Sequence, residues 1–198
     1  MSLFAQLYPE PASELNFKND FQLIISVVLS AQCTDKKVNE VTPQLFSEFS
    51  SFKTLKNASI SKVERIIRQV NYYKTKAKNI VGLAKMIEEN FEGKIPTTFD
   101  EITQLPGVGR KTASVVLGEL GITHTLPVDT HVFRVSKRLG LATGLNVKEV
   151  EAELRRAFSP DQWRPLHHYL IFHGRRVCKA QRPLCLSCTL SPLCPSSP

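Results

Sequence analysis

The sequence predicts an all-α protein, and three observations support this prediction. Apolar residues recur at helical spacing along most of the chain, and in one segment they form the stripe Ala77, Ile80, Val81, Ala84 and Ile87. Capping residues and glycines stand where the resulting helices are expected to begin and end. The one segment that resembles a strand, residues 21–31, has no second strand candidate nearby with which to pair.

Residues 21–31, FQLIISVVLSA, are the most apolar segment of the chain. Their β-branched side chains would also suit a buried strand, but the lack of a pairing partner favours a buried central helix. The segment is too short to cross a bilayer, which needs about 20 residues. The N-terminus also lacks the basic region and apolar run of a signal peptide. We therefore expect an intracellular protein that does not associate with membranes.

Capping signals mark where helices of the first half begin. Thr34 and Asp35 are expected to cap the helix through KKVNEVTPQLFSEF. Ser61 and Glu64 form an expected capping box ahead of RIIRQV, and Thr98 and Glu101 form a second one before the glycine-rich turn. Between the last two, KTKAKNIVGLAKMIEEN predicts a long helix over residues 74–90 that carries the apolar stripe.

In the second half, a helix over residues 110–120 is expected to stop at Gly121. Asp129 or Thr130 caps the next helix, in LPVDTHVFRVSKRLGL, and VKEVEAELRRAF and WRPLHHYLIFHGRRV predict two more. The final stretch, CKAQRPLCLSCTLSPLCPSSP, shows no periodicity and is predicted to be a loop. A change of composition at residues 123–127 is the best candidate for a boundary between two lobes.

The chain is strongly basic. It has 26 Lys and Arg against 18 Asp and Glu among 198 residues, which gives a formal net charge of +8 and a pI near 9.4. This excess of positive charge favours an anionic partner, with nucleic acid as the first candidate. The alternative is a basic protein without such a partner, and charge alone does not decide between the two.

The stretch LPGVGRKTA, residues 105–113, places a glycine turn directly before a helix. Gly107 and Gly109 allow a tight bend and leave backbone amides uncovered at the positive end of that helix. Such amides bind a phosphate without distinguishing base sequence. With Arg110 and Lys111 following, the pattern is similar to a helix-hairpin-helix DNA-binding element. An ordinary tight turn between two helices is the alternative.

Lys111 and Asp129 are candidate catalytic residues. Lys111 falls on the first turn of its helix, where the helix dipole disfavours an ammonium group, and a nucleophilic lysine needs this effect. Asp129 stands at the start of another helix, so the two side chains would share a cleft if those helix N-termini lay side by side. Taken singly, Lys111 suits a solvated surface position and Asp129 suits a helix cap. The pair gains meaning from the neighbouring hairpin.

Four cysteines near the C-terminus have the spacing C-x6-C-x2-C-x5-C, and they are Cys178, Cys185, Cys188 and Cys194. Thiols this close together in an intracellular chain indicate a metal centre rather than disulfides. Tetrahedral zinc is one interpretation, although structural zinc usually takes two C-x2-C pairs and only one is present. A [4Fe–4S] cluster is the preferred interpretation. Cys33 lies outside the pattern and is expected in the core.

Together and in this order, these features resemble the endonuclease III family of DNA base excision repair enzymes. The resemblance extends over residues 14–194, and its motifs are LSAQCTD at residues 29–35, LPGVGRKTA at 105–113, VDTHVFRV at 128–135, HHYLIFHGR at 167–175 and the four-cysteine loop. It implies two helical lobes with DNA bound in the cleft. One lobe, residues 14–124, would be a six-helix barrel that contains the hairpin. The other would join residues 1–13 to residues 125–198 and end in the iron–sulfur loop, residues 178–194.

The resemblance also implies an activity. Family members act as glycosylases that remove oxidised pyrimidines from duplex DNA. They then act as abasic-site lyases, which cut the strand 3′ to the abasic site by β-elimination through a lysine Schiff base. Lys111 would be the nucleophile and Asp129 its carboxylate partner, and the four cysteines would hold a [4Fe–4S] cluster as a structural clip. We expect a monomer, cytoplasmic and associated with the nucleoid of a prokaryote, whose partner is double-stranded DNA with damaged pyrimidines or abasic sites.

Several further residues are implied to contact DNA, and they are Gln32, Tyr72, Gly107, Gly109, Arg110, His131, Lys179 and Arg182. Gln32 would fill the hole left by the flipped base, with a buried helix-terminal glutamine as the alternative. Tyr72 stands where relatives often have leucine and would act as a wedge, with core packing as an equal alternative. Asn71, at a position that is usually glycine, is expected to adopt the left-handed conformation. His167 and His168 are expected to pack between helices.

Two rival functions share parts of this pattern. An adenine-mispair glycosylase of the same fold uses an early helical carboxylate to activate water, and it lacks the nucleophilic lysine. A catalytically silent DNA-binding or redox protein would keep the fold and the cluster alone. Lys111 argues against the first rival, and its combination with Asp129 argues against the second.

Overall fold

The computed structural model describes residues 1–9 and 11–198. Glu10, inside the predicted segment 1–13, lies outside the described residues. The described residues form helices joined by turns and include no β-strand, which confirms the all-α prediction. None of these helices is long and apolar enough to span a membrane.

The described residues form eleven α-helices, which are α1 Ser2–Leu7, α2 Asp20–Ser30, α3 Asp35–Glu48, α4 Phe52–Leu55, α5 Ile60–Ile66, α6 Tyr73–Asn90, α7 Phe99–Ile102, α8 Arg110–Glu119, α9 Thr130–Arg138, α10 Val147–Ala157 and α11 Pro160–Arg176. Two single 3₁₀ turns, Cys185–Ser187 and Ser191–Leu193, follow in the cysteine loop. The sequence pattern did not anticipate the short helices α1 and α4.

The helices group into two compact units. The central unit is Glu14–Ile122 and contains α2 to α8. The terminal unit joins Met1–Ser13 to Thr123–Pro198 and contains α1 and α9 to α11. Each unit buries a hydrophobic core of its own, so each has the internal packing expected of a small domain.

Helix α2 is the centre of the central unit. Its residues from Leu23 to Leu29 are buried, and α3, α6 and α8 pack against it. Asn19 begins the helix by accepting a hydrogen bond from the amide of Gln22 at 2.9 Å. The predicted buried helix is therefore confirmed, and the residues just beyond its C-terminal end reach the surface of the unit.

Two of the predicted helix starts differ from the structure. The capping box of Ser61 and Glu64 is wrong, because α5 begins earlier and Ser59 accepts from the amide of Lys62 at 3.3 Å. Ser59 has the extended backbone that a cap requires, whereas Ser61 already lies within the first turn. Thr98 caps α7 as predicted. The Glu101 carboxylate accepts from the Thr98 hydroxyl at 2.6 Å, so the predicted box is incomplete.

The terminal unit is built around α11, which packs against α9. Aromatic rings from α1 and the residue after it complete the core. The ring of Phe4 stacks on that of Tyr169 with centroids 5.5 Å apart, and Tyr8 meets Phe172 edge to face at 5.8 Å. The N-terminal helix therefore belongs to the same core as the helices that lead into the cysteine loop.

Candidate active site and metal centre

The glycine turn lies between α7 and α8, and its two glycines have different roles. Gly107 has φ +81°, and a Cβ atom there would lie 2.9 Å from Nδ2 of Asn79 and 3.0 Å from its Cβ. Both the backbone and the space therefore require glycine. Gly109 has an ordinary φ of −88°, and a Cβ atom there would meet nothing within 4 Å. The second glycine is needed for neither backbone nor packing.

The N-terminus of α8 is open. Gly109 is its N-cap and supplies no side chain, and the first helical hydrogen bond runs from the amide of Ala113 to the carbonyl of Gly109 at 2.9 Å. The amides of residues 110–112 precede that bond, so they lack helical partners. The first turn also contains no acidic residue. An anion is the natural ligand of such a terminus.

The two glycines give a matched pair of variants. Gly107→Ala should lower the free energy of unfolding by about 1–2 kcal/mol or more, because alanine is strained at positive φ and would press on Asn79. Gly109→Ala should lower stability less than Gly107→Ala, because it meets no clash and loses only the N-cap preference for glycine over alanine. It should weaken duplex binding, because it adds a methyl group at the N-cap of α8. Thermal unfolding and fluorescence anisotropy with a labelled duplex check both. Unchanged duplex affinity in Gly109→Ala would count against phosphate binding at this turn.

Lys111 is exposed in the first turn of α8. Within its own unit, no described residue makes a hydrogen bond or ion pair with its ammonium group. The preceding Arg110 is also exposed, and its guanidinium lies over the ring of Phe99 with 5.1 Å to the centroid. That cation–π contact fixes the stem of Arg110 beside the turn. The amine of Lys111 is thus accessible next to a helix N-terminus that has no side-chain cap.

Gln32 and Tyr72 lie on two loops of the central unit that meet through a hydrogen bond. The side-chain amide of Asn71 donates to the carbonyl of Gln32 at 2.7 Å. Gln32 and Tyr72 both adopt the left-handed conformation, with φ +54° and +58°. The prediction that Asn71 would adopt it is wrong, because the chain reverses one residue later, where Tyr72 starts α6. Gln32 is exposed, so its buried alternative is wrong as well.

Tyr72 is 68% exposed, which contradicts the core-packing alternative for its side chain. Its neighbour Tyr73 packs instead against the core of the central unit. An exposed aromatic ring held on a strained backbone is suited to stacking on a base. The structure leaves the wedge role itself as a prediction.

Tyr72→Ala should weaken binding to duplex DNA that contains an abasic analogue by about 1–3 kcal/mol, with little change in melting temperature. The physical reason is that an exposed ring contributes stacking area to the complex and little to the folded protein. Tyr73→Ala is the control, and it should lower the melting temperature because it removes a core contact. A stability loss in Tyr72→Ala with unchanged affinity would contradict the wedge.

Asp129 is the N-cap of α9, as predicted, and its carboxylate accepts from the amide of Val132 at 2.7 Å. His131 follows in the first turn and lies 3.2 Å from a guanidinium nitrogen of Arg134. Partial burial lowers the pKa of His131, and the nearby Asp129 carboxylate opposes this shift. Asp129 belongs to the terminal unit and Lys111 to the central unit. Their pairing therefore stays a prediction.

The four cysteines of the loop line one cavity in the terminal unit. This cavity is partly open to solvent, and its wall includes Cys178, Cys185, Cys188, Cys194, Leu139 and His173. All five cysteines are free thiols, so the structure contains none of the disulfides that were the alternative to a metal centre. Among the described residues, no three His, Cys, Asp or Glu side chains converge on a point that would hold one metal ion.

Nitrogen atoms of Arg138 and His173 lie next to two of the four sulfur atoms. A guanidinium nitrogen of Arg138 lies 3.6 Å from Sγ of Cys178, and Nε2 of His173 lies 3.6 Å from Sγ of Cys188. The other ring nitrogen of His173 lies 3.1 Å from the hydroxyl of Tyr8. Burial lowers the pKa of His173. These groups offer partial compensation for negative charge on thiolates.

The remaining predicted residues are placed as follows. Lys179 and Arg182 are exposed on the cysteine loop, and Arg138 holds that loop by donating to the carbonyl of Lys179 at 2.7 Å. His167 and His168 are buried, which confirms the packing prediction. Cys33 is only partly buried, although it packs against the core of the central unit as expected.

Lys76 and Arg138 were not identified from the sequence, although the structure places both polar residues in contact with predicted site elements. Lys76 is buried on α6, and its ammonium group donates to two carbonyls at the end of α2. The signal was available, because Lys76 falls on the apolar stripe of its helix. Arg138, by contrast, looks like an ordinary basic residue in the last turn of a helix. Only the tertiary structure places it against Cys178.

Comparison with known proteins defines the class first. Residues 25–160 match the family model described as HhH-GPD superfamily base excision DNA repair protein. Endonuclease III of Synechocystis is 40% identical over 98% of this chain and 90% of its own length. Endonuclease III of Bacillus subtilis is 44% identical over 95% of this chain and 86% of its own length.

A solved structure gives the same result. A trapped covalent intermediate of an endonuclease III with DNA has a TM-score of 0.91 and 42% identity, covering 99% of this chain and 92% of that one. The chain belongs to the endonuclease III family of helix-hairpin-helix base excision repair proteins. It is a DNA glycosylase and abasic-site lyase.

Proposed function

We propose that this enzyme removes oxidised pyrimidines from duplex DNA and then cuts the strand 3′ to the abasic site through a Schiff base on Lys111. This proposal rests mainly on the exposed amine of Lys111 in the first turn of α8, beside an uncapped helix N-terminus. The similar protein whose structure with DNA is described as a trapped covalent intermediate supports covalent chemistry at such a site. We also propose that the central unit corresponds to the predicted barrel lobe, although it has seven helices rather than six when the four-residue helices α4 and α7 are both counted. We propose that the enzyme acts as a monomer.

Binding begins with phosphate contacts that do not depend on base sequence. The open amides of residues 110–112 would hold a phosphate next to the lesion, while Lys179 and Arg182 on the cysteine loop would contact the backbone. Gln32 and Tyr72 would enter the space that the flipped nucleotide leaves. Damaged bases leave the stack at lower cost than intact ones, so flipping itself contributes selectivity.

The glycosylase step requires a neutral amine. The amine of Lys111 attacks C1′ of the deoxyribose, and the bond from C1′ to the base nitrogen breaks with its electron pair on the base. Asp129 would accept a proton from Lys111 and stabilise positive charge on the sugar. One carboxylate oxygen of Asp129 binds the amide of Val132, and the other is available for this role.

The lyase step uses the covalent bond that the first step formed. The sugar opens to an imine between C1′ and the Lys111 nitrogen, which makes the C2′ proton acidic. Loss of that proton expels the 3′ phosphate and leaves a conjugated double bond in the sugar. Water then hydrolyses the imine and frees the lysine.

We further propose that Cys178, Cys185, Cys188 and Cys194 hold a [4Fe–4S] cluster. The donor set fits, because four free thiols line one cavity with Arg138 and His173 beside the sulfurs. A [4Fe–4S] cluster takes thiolate ligands, and this chain offers four clustered cysteines in one loop with only one C-x2-C pair, whereas structural zinc usually takes two such pairs. The role of the cluster would be to hold the loop that carries Lys179 and Arg182.

The test of the proposed function compares matched duplexes that contain thymine glycol, an abasic site or no lesion. Purified enzyme should release thymine glycol as the free base and convert the first two duplexes to a product with an unsaturated 3′ sugar. The intact duplex should stay whole. Base release without strand cleavage would remove the lyase step and favour the water-activating rival. Cleavage of abasic DNA alone would remove the proposed oxidised-pyrimidine substrate.

A further inference from the structure

The C-terminal end of α2 is held by side chains from α6 and the residues just before it. Lys76 donates from Nζ to the carbonyl of Leu29 at 2.8 Å and to that of Ala31 at 2.6 Å. The amide of Cys33 donates to the carbonyl of Ser30 at 3.0 Å. With the bond from Asn71 to the carbonyl of Gln32, all four consecutive carbonyls from residues 29 to 32 have donors.

Lys76 is an unusual choice for its position. It is only 6% exposed, and no carboxylate of the described residues pairs with it. Burying an ammonium costs free energy that an apolar residue of similar size would avoid. The cation is favoured at this place by the negative end of the α2 dipole and by the two carbonyl bonds. These two bonds fix the path of the backbone as it leaves α2, and they thereby fix the position of Gln32, the next residue but one after the helix.

The same elements link Gln32 to Tyr72. The amide of Lys76 bonds the carbonyl of Tyr72 at 3.0 Å, so the lysine lies one helical turn beyond the tyrosine. Asn71, immediately before Tyr72, donates to the carbonyl of Gln32. Gln32 and Tyr72, both exposed and both with left-handed backbones, are therefore linked to each other through the Asn71 side chain. Both are also next to the buried ammonium-bearing residue Lys76.

We propose that Asn71 and Lys76 are positioning residues that join Gln32 and Tyr72 into one rigid wedge for the space left by a flipped nucleotide. This inference rests on the proposed function, because it takes Gln32 and Tyr72 as the groups that enter the duplex. The advantage is entropic. Two separately mobile loops would each lose freedom on binding, whereas a joined pair has lost it before DNA arrives.

Asn71→Ala is the principal test, because Asn71 is exposed and its loss should not change folding. Its affinity for a duplex with a tetrahydrofuran abasic analogue should fall by roughly threefold to tenfold, as expected for one hydrogen bond. In a background that already carries Gln32→Ala and Tyr72→Ala, the same change should have no further effect. Asn57→Ala removes a similar exposed bond, to the carbonyl of Lys53, and should leave affinity unchanged.

A second readout follows the base opposite the lesion. The fluorescence of 2-aminopurine placed opposite the abasic analogue should rise on binding wild-type protein, as the wedge unstacks it, and should rise less with Asn71→Ala. Lys76→Met keeps the side-chain volume and should show the same two losses while remaining folded. The inference would be overturned if Asn71→Ala lost as much affinity in the Gln32→Ala, Tyr72→Ala background as in the wild type. It would also be overturned if Asn71→Ala and Lys76→Met both behaved as the wild type.

The outcome also separates this inference from the proposed function. If Gln32→Ala and Tyr72→Ala weaken binding but Asn71→Ala and Lys76→Met do not, only the positioning role fails. If the Gln32 and Tyr72 variants themselves bind as wild type, the wedge fails and the positioning role fails with it. Trapping of the Lys111 imine does not depend on the coupling, so Asn71→Ala should still form the covalent adduct.

Discussion

Lys111→Gln is expected to abolish both strand cleavage and the covalent adduct that borohydride traps with abasic or thymine glycol DNA. The amide of glutamine cannot form an imine with C1′, so there is nothing for borohydride to reduce. DNA binding should remain close to that of the wild type, because the open amides of the α8 N-terminus are backbone groups that the substitution leaves in place. Wild-type protein should give a band of reduced mobility that contains both protein and DNA.

Asp129→Asn is the informative companion of this variant. Asparagine is as good a helix cap as aspartate, so α9 should keep its start and the protein its stability. Base removal should slow by roughly two or more orders of magnitude, because the amide neither accepts the lysine proton nor stabilises positive charge. If borohydride still traps a covalent adduct of Lys111→Gln with DNA, another amine is the nucleophile and the assignment of Lys111 is wrong.

Cys188→Ser is expected to eliminate the cluster and most of the soluble protein. The loop from Cys178 to Cys194 contains only two single 3₁₀ turns and few buried side chains, so the proposed cluster would supply much of its stability. Wild-type protein purified without oxygen should be brown, with broad absorption near roughly 400 nm and four irons per chain. The serine variant should lack both the colour and the iron.

Cys33→Ala is the matched control, because Cys33 is a free cysteine of the other unit. Its iron content, colour and yield should equal those of the wild type. Colourless wild-type protein with one zinc per chain would contradict the cluster and restore the zinc interpretation. Normal iron content in Cys188→Ser would show that Cys188 is not a ligand.

Helix starts and ends could be predicted from the sequence where they depend on the capping residue and its immediate neighbours. Asp129 caps α9 and Gly121 ends α8 as expected, because caps depend on a few neighbouring residues. The error at α5 shows the limit of such signals. Ser59 and Ser61 are both good caps by residue type, and the packing of Val63 and Ile66 into the core decides which of them starts the helix.

The sequence by itself determined the helical fold, the family, the glycine turn and the four clustered thiols, because each depends on residue type and spacing. Only the tertiary structure decided which polar residues support the site. Asn71 binds a carbonyl 39 positions away along the chain, Lys76 crosses from α6 to the end of α2, and Arg138 reaches Cys178 from α9. These contacts join segments that are distant in sequence, so their partners are fixed by the packing of helices rather than by any local pattern.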